Sequence, residues 1–202
     1  TVVSSEELQR NNYGQNIPFL LGGTPSLVFT SDDGTGYGYS YMRIRGSDAT
    51  RVNVTINDVP LNDAESQSVF WVNMPNIAAS ADDIQIQRGA GTSTNGAAAF
   101  GGSVNIRTSL PSGLLNDHYE LSGRFSRAYS DGYIDRASSD MSSYFLSGGY
   151  YDNRTTIKVL GFGGKQTTYQ AWNGVDAETM KTNRRFNSCG AIYDENWEKI
   201  IG

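Results

Sequence analysis

The sequence predicts an α+β domain over residues 1–108, followed over 109–202 by antiparallel β-strands whose period suits an incomplete transmembrane β-barrel or a soluble β-meander. Three observations carry this. Short alternating segments and one capped helix share the first half, and longer alternating strands with unequal connections fill the second. The composition, with 23 Gly and 12 Tyr against 5 Pro, favours strands and turns over helices. At 38% hydrophobic residues the chain is poor in material for one large core, so one ordinary domain or two small ones fit its 202 residues.

The first element is a helix. Ser4-Ser5-Glu6-Glu7-Leu8-Gln9 offers Ser caps and acidic residues for a first turn, and the helix should end around Asn11–Gly14. Ile17-Pro18-Phe19-Leu20-Leu21 is an apolar patch closed by Gly22-Gly23, and Asp32–Ser40 reads as a Gly/Tyr/Ser loop. Tyr41–Arg45, Val52–Ile56 and Ile84–Arg88 alternate as short strands. Asn57-Asp58-Val59-Pro60 supplies a turn, Asp82-Asp83 should cap or precede a strand, and Ser103–Thr108 resumes as a strand after the Gly-rich run 90–102.

The second half has a longer rhythm. In Tyr119–Phe125 the residues Tyr119, Leu121, Gly123 and Phe125 share one face, and in Ser142–Tyr150 the residues Tyr144, Leu146, Gly148 and Tyr150 do. Thr155–Lys165 is a weaker third strand, because Leu160 and Phe162 oppose Ile157 and Val159. A tight turn at Asp152-Asn153-Arg154 and a longer polar stretch at Ser130–Asp140 lie at opposite ends of these strands. That asymmetry suits an outer-membrane barrel, although a soluble β-meander has the same period. The segment beyond Tyr169 is polar, dotted with aromatics and without period, and is expected to be poorly packed.

Charge and chemistry exclude much. A net charge of −5 with no basic stripe argues against a nucleic-acid partner. The lone Cys189 excludes an internal disulfide and a CxxC metal site. No apolar run approaches the ~20 residues of a membrane helix, whereas an alternating membrane strand needs only ~10. The chain opens at Thr1 without a basic or apolar leader, so a signal segment would lie outside it. The run Gly89–Gly96 follows a strand but lacks the Lys and Ser/Thr of a phosphate loop, and Thr94 spoils a dinucleotide fingerprint. His118 is the only His, Asp32-Asp33-Gly34 lacks the remaining ligands of a calcium loop, and no carboxylate pair stands out. The expectation is no enzyme, no metal and no cofactor.

Read in order, residues 1–108 resemble the plug domain of TonB-dependent outer-membrane receptors. Thr24-Pro25-Ser26-Leu27 stands where that family usually has a P-G-V run, and Arg43-Ile44-Arg45-Gly46 is similar to its I-R-G. Val54–Leu61 is similar to V-L-V-D-G-V-P-L, Asp83–Gly89 to I-E-R-I-E-V-L-R-G-P, and Asn95–Ile106 to Y-G-S-G-A-I-G-G-V-I-N-I. Departures are Asn57-Asp58 for Asp-Gly, Gln85 and Gln87 for acidic and apolar residues, and Ala90 for Pro.

The resemblance implies a plug followed by barrel strands, and import of a scarce bulky solute: an iron chelate (siderophore), cobalamin or a glycan. It implies TonB and outer-membrane lipid as partners in a Gram-negative bacterium. Substrate would meet Tyr37, Tyr39, Arg45, Asn62, Phe70 and Trp71 on outward plug loops. Arg43, Gly46, Asp58, Arg88, Gly89, Gly96, Gly101, Gly102 and Arg107 would form the plug motif and its contacts with the barrel wall. For Arg43, Arg45, Arg88 and Arg107 bidentate pairing with wall carboxylates competes with plain surface solvation. No TonB box precedes Ser4, the passage from Thr108 to Tyr119 is short for a full strand, and three or four strands stand against the ~22 of a plugged transporter. The expectation is therefore a fragment; a free-standing plug-like ligand-binding module is the alternative.

Overall fold

The computed structural model describes residues 1–90, 99–108, 114–116, 118–169, 171–189, 192–193, 195–196 and 199–201. The expectations placed on Gly96 and on Ser109–Gly113 lie outside the described residues.

Strand β1 (Val2–Ser4) leads into helix α1 (Ser5–Asn11), where the Ser4 hydroxyl accepts from the Glu7 N–H at 3.3 Å. Glu6 and Glu7 sit in the positive first turn, and Leu8 is buried beneath. The apolar patch that follows is helical: Pro18 opens the single turn α2 (Ile17–Leu20), and Phe19 meets Phe29 edge to face at 5.1 Å. Phe29 belongs to β2 (Leu27–Ser31), a strand the sequence pattern did not reveal. It pairs antiparallel with β3 (Ser40–Ile44) around the 32–39 loop.

Strands β4 (Val52–Ile56) and β5 (Val59–Pro60) form a hairpin whose turn residues Asn57 and Asp58 both have positive φ, 48° and 68°. That backbone matches a type I′ turn, which Asn and Asp tolerate. β6 (Ala81–Arg88) starts earlier than expected, so Asp82 and Asp83 lie within the strand rather than before it. The sheet order is β1-β6-β7-β4-β5, with β7 (Gly102–Thr108) parallel to β4 and antiparallel to β6. Register stacks Val54, Val104 and Ile86 in one row, and Ile56, Ile106 and Ile84 in the next. All six are buried. Burying each is worth roughly 1.5–3 kcal/mol. The opposite face is polar: Thr55 donates to the Asn105 amide oxygen at 2.9 Å, and the Asn105 amide donates to Asp58 at 2.9 Å.

The remaining strands form a second antiparallel sheet, β11-β10-β9-β8. β8 (Leu114–Asn116) is short, whereas β9 (Tyr119–Ser130), β10 (Ser139–Tyr151) and β11 (Thr156–Thr168) run 12 or 13 residues. Across the outward face a large side chain repeatedly adjoins a glycine. Leu146 lies between Gly123 and Gly161, Tyr144 between Phe125 and Gly163, and Gly148 between Leu121 and Val159. Leu121, Phe125 and Val159 are 62%, 80% and 66% exposed. The inward face carries Met141, Ser143, Phe145 and Ser147, all buried, with Leu160 and Phe162 against the first domain's core. The irregular pattern of the third strand has its explanation here. Leu160 and Phe162 meet a packed domain, while Ile157 and Val159 point away from it.

The two sheets meet through side chains of the second. Arg124, inward on β9, donates to the Ser80 hydroxyl at 2.9 Å and to the Asn76 carbonyl at 3.0 Å, and also bonds Ser126. Gly164 lets Pro75 approach: a Cβ there would stand 2.6 Å from Pro75 Cγ and 2.6 Å from the Ser142 carbonyl. Past Tyr169 most of the described residues are exposed, and among 171–189 burial is confined to Ala171, Asn187 and Cys189. Helix α3 (Ala177–Thr182) is capped by Asp176, and the buried Asn187 donates to the Asp135 carbonyl at 2.8 Å. Arg136 donates to the Cys189 carbonyl, and Arg185 pairs with Asp135 at 3.3 Å, so this segment closes over the 131–138 connection.

Candidate functional site

A cleft of about 780 Å³ lies at the long-loop end of β11, away from the tight 152–155 turn. Both halves build it. The first contributes Asp32, Asp33, Tyr37, Tyr39, Val72 and Asn73; the second contributes residues 163–169 and Trp172.

The 32–39 loop owes its shape to Asp33, which is buried. Its carboxylate accepts from the Ser31 hydroxyl (2.6 Å), the Thr35 N–H (2.9 Å) and the Thr35 hydroxyl (2.6 Å). The loop's base is closed by the Asp32 N–H donating to the Tyr39 carbonyl at 3.1 Å. Gln166 ties this loop to the wall. The Gly38 N–H requires an acceptor beside it, which orients the Gln166 amide. Its oxygen accepts from Gly38 N at 2.6 Å and Ser139 Oγ at 2.9 Å, and its nitrogen donates to the Val72 carbonyl at 3.3 Å.

The electrostatics of the loop are negative. Burial, and next the adjacent Asp33, push the Asp32 carboxyl above its usual range. Burial and then Asp33 raise Tyr37, and burial followed by Asp32 and Tyr39 raises Tyr41. Among the described residues no group of three or more His, Cys, Asp or Glu could hold a metal ion.

The structure separates the residues that the sequence proposed as one site. Tyr39 is 40% exposed in the cleft. Tyr37 lines the same wall, but is buried and donates its hydroxyl to the Tyr13 carbonyl at 2.6 Å, anchoring the loop. Trp71 is a core residue, 4% exposed, and offers no face to a ligand. Asn62 is occupied by its own chain: it accepts from Val54 N and donates to the Val52 and Gln67 carbonyls. Phe70 is exposed outside the cleft lining. Arg45 lies with Arg88, Gln85, Gln87, Ser103 and Asn105 in a separate polar cleft of about 440 Å³.

Of the described plug-motif residues, Arg88 lines that second cleft and the others lie outside its lining. Gly89 donates its N–H to the Gly101 carbonyl, Gly101 to the Arg51 carbonyl, and a Cβ on Gly102 would meet the Gln87 carbonyl at 2.6 Å. Gly46, with φ 78°, turns the chain after β3. Asp58 accepts from Asn105, Arg88 reaches the Pro25 carbonyl at 3.4 Å, and Arg43 and Arg107 are exposed on β3 and β7. Among the described residues the ion pairs Arg127–Asp140, Lys181–Glu178 and Arg185–Asp135 lie in the second half. Tyr169, Trp172 and Gln166 were missed. Their only sequence signal was an aromatic-dotted segment after a strand.

A small mixed domain packs on the inward face of an antiparallel sheet whose outward face exposes Leu121, Phe125 and Val159, and the two share a cleft. The chain belongs to the TonB-dependent Receptor Plug Domain family, whose profile matches residues 1–103. No curated protein sequence matches it.

Among solved structures, the ferric yersiniabactin uptake receptor FyuA from Yersinia pestis aligns with 95% of this chain and 35% of its own, at TM-score 0.70 and 16% identity. The copper transporter OprC aligns with 85% of this chain and 32% of its own, at TM-score 0.69 and 14% identity. The siderophore receptor PirA from Acinetobacter baumannii aligns with 83% of this chain and 24% of its own, at TM-score 0.55 and 19% identity. At these identities the likeness is one of fold. The chain spans about a third or less of the length of these receptors.

Proposed function

We propose that this chain forms the plug and first barrel strands of an outer-membrane TonB-dependent receptor that takes up a scarce, bulky solute. One observation carries the reading: the 32–39 loop of the plug and the end of β11 line a single cleft at the long-loop end. On this reading the long loops face the exterior and the tight 152–155 turn faces the periplasm. The outward rows of Tyr, Leu, Phe, Val and Gly lie against lipid, TonB supplies energy from the periplasmic side, and the plug gates passage. The solute classes are those of the family: an iron chelate, cobalamin or a glycan.

The test is ligand binding by the full chain in detergent micelles, read by tryptophan fluorescence, against a panel of such solutes. Tyr39→Ala and Trp172→Ala should each weaken the bound solute by about tenfold, the loss of one stacking face. In the source bacterium, removal of the coding segment should abolish an uptake activity that also requires TonB. Uptake unchanged by that removal refutes the proposal.

A further inference from the structure

The cleft is electronegative as well as aromatic. Asp32 stands on its plug side with the buried Asp33 behind it, and Tyr39, Tyr169 and Trp172 belong to the lining, the last two 63% and 55% exposed. Lys165 is the basic residue of the lining, and register places it beside Ser142 on the outward row that also holds Arg127. The plug adds no counterweight. Between Thr30 and Met42 it has two acids and no Lys or Arg, and between Val52 and Ser80 it has Asp58, Asp63 and Glu65 and again no Lys or Arg.

Resting on the receptor reading above, we infer that this cleft admits a neutral or cationic ring-bearing solute and rejects multiply anionic chelates. Ring faces attract cations and apolar ring surfaces, and the Asp32 carboxylate accepts from hydroxyl or ammonium groups. A multiply charged anion would meet like charge beside a half-buried carboxylate, where screening by salt is weak. Aromatic residues alone suit a planar anion or a sugar equally well. The acids decide between them.

Three probes of similar bulk separate the cases: a trianionic ferric tricatecholate, a cationic ferric trihydroxamate and a neutral cyclic oligosaccharide. Each is titrated against the full chain in micelles by fluorescence and equilibrium dialysis. The cationic or the neutral probe should bind at least about tenfold more tightly than the tricatecholate. Asp32→Lys should reverse that order. Asp32→Asn, which adds no bulk, should narrow the gap, with circular dichroism confirming that both variants fold. Tricatecholate binding as tight as the others, or an order unmoved in both variants, overturns the inference and leaves the receptor reading standing. Binding of none of the three by the unmodified chain overturns that reading and the inference with it.

Discussion

Arg124 on the inward face of β9 donates its Nε to the Ser80 hydroxyl at 2.9 Å. The same guanidinium reaches the Asn76 carbonyl, so one wall side chain holds two points of the plug's 3-10 segment Ile77–Ser80 and its cap. The arginine that joins plug to wall thus comes from the wall, and its partners are a hydroxyl and a carbonyl.

Arg124→Ala should loosen that junction. Hydrogen bonds from a charged group are worth about 1.5–3 kcal/mol. Hydrogen exchange at residues 77–80 should accelerate while the β4–β7 pairing stays protected. Lys at this position should fail to restore protection, since an ammonium cannot present the planar fork.

Gly164→Val should separate wall from plug, because its Cβ would meet Pro75 and the Ser142 carbonyl at once. Overpacking of this kind costs about 1–3 kcal/mol. Gly161→Ala, three positions away with open space around its Cα, should melt like the parent protein. Equal thermal midpoints for the two variants would remove the close-approach argument.

Ile106→Ala removes the centre of a row in which Ile56 and Ile84 flank it on neighbouring strands. The expected loss is about 2–5 kcal/mol. It should show as a lower denaturant midpoint with an unchanged m-value.

Asp32 gives a pH signature. Its carboxyl is raised above the ordinary 3.8 by burial and then by Asp33, so the folded state holds the proton more tightly than the unfolded. Its contribution to stability is therefore complete below 3.8 and is lost as pH rises through the folded value. Asp32→Asn should melt higher than the parent at neutral pH, with the difference closing in acid. A variant that is less stable at neutral pH would contradict the assignment.

Gln166→Leu removes the acceptor that the Gln166 amide oxygen gives the Gly38 N–H while retaining similar bulk. Exchange at residues 36–39 should quicken, and binding in the cleft should weaken through the loop's freedom. An unchanged exchange rate at Gly38 would show that the loop holds itself.

Local chemistry was legible in the sequence. Ser4 ahead of two glutamates capped a helix, Asn57-Asp58 made a left-handed turn, and strict alternation in β9 and β10 marked an outward apolar face, because caps, turns and period 2 depend only on near neighbours. β2 was hidden: Leu27–Ser31 is a strand because β3 pairs with it, and Phe29 packs on Phe19 from another element. Site residues divided in the same way. Tyr39 and Trp71 are alike as exposed-loop aromatics in sequence, yet one opens on the cleft and the other fills the core. That choice belongs to packing, which depends on which distant segments arrive beside each ring. The sequence by itself determined a plug-like domain, its turns and a two-faced run of strands. Only the tertiary structure decided that Asp32 and Tyr39 would face Tyr169 and Trp172 across one cleft, since residues over 120 positions apart meet there through sheet register and close approach rather than through local rule.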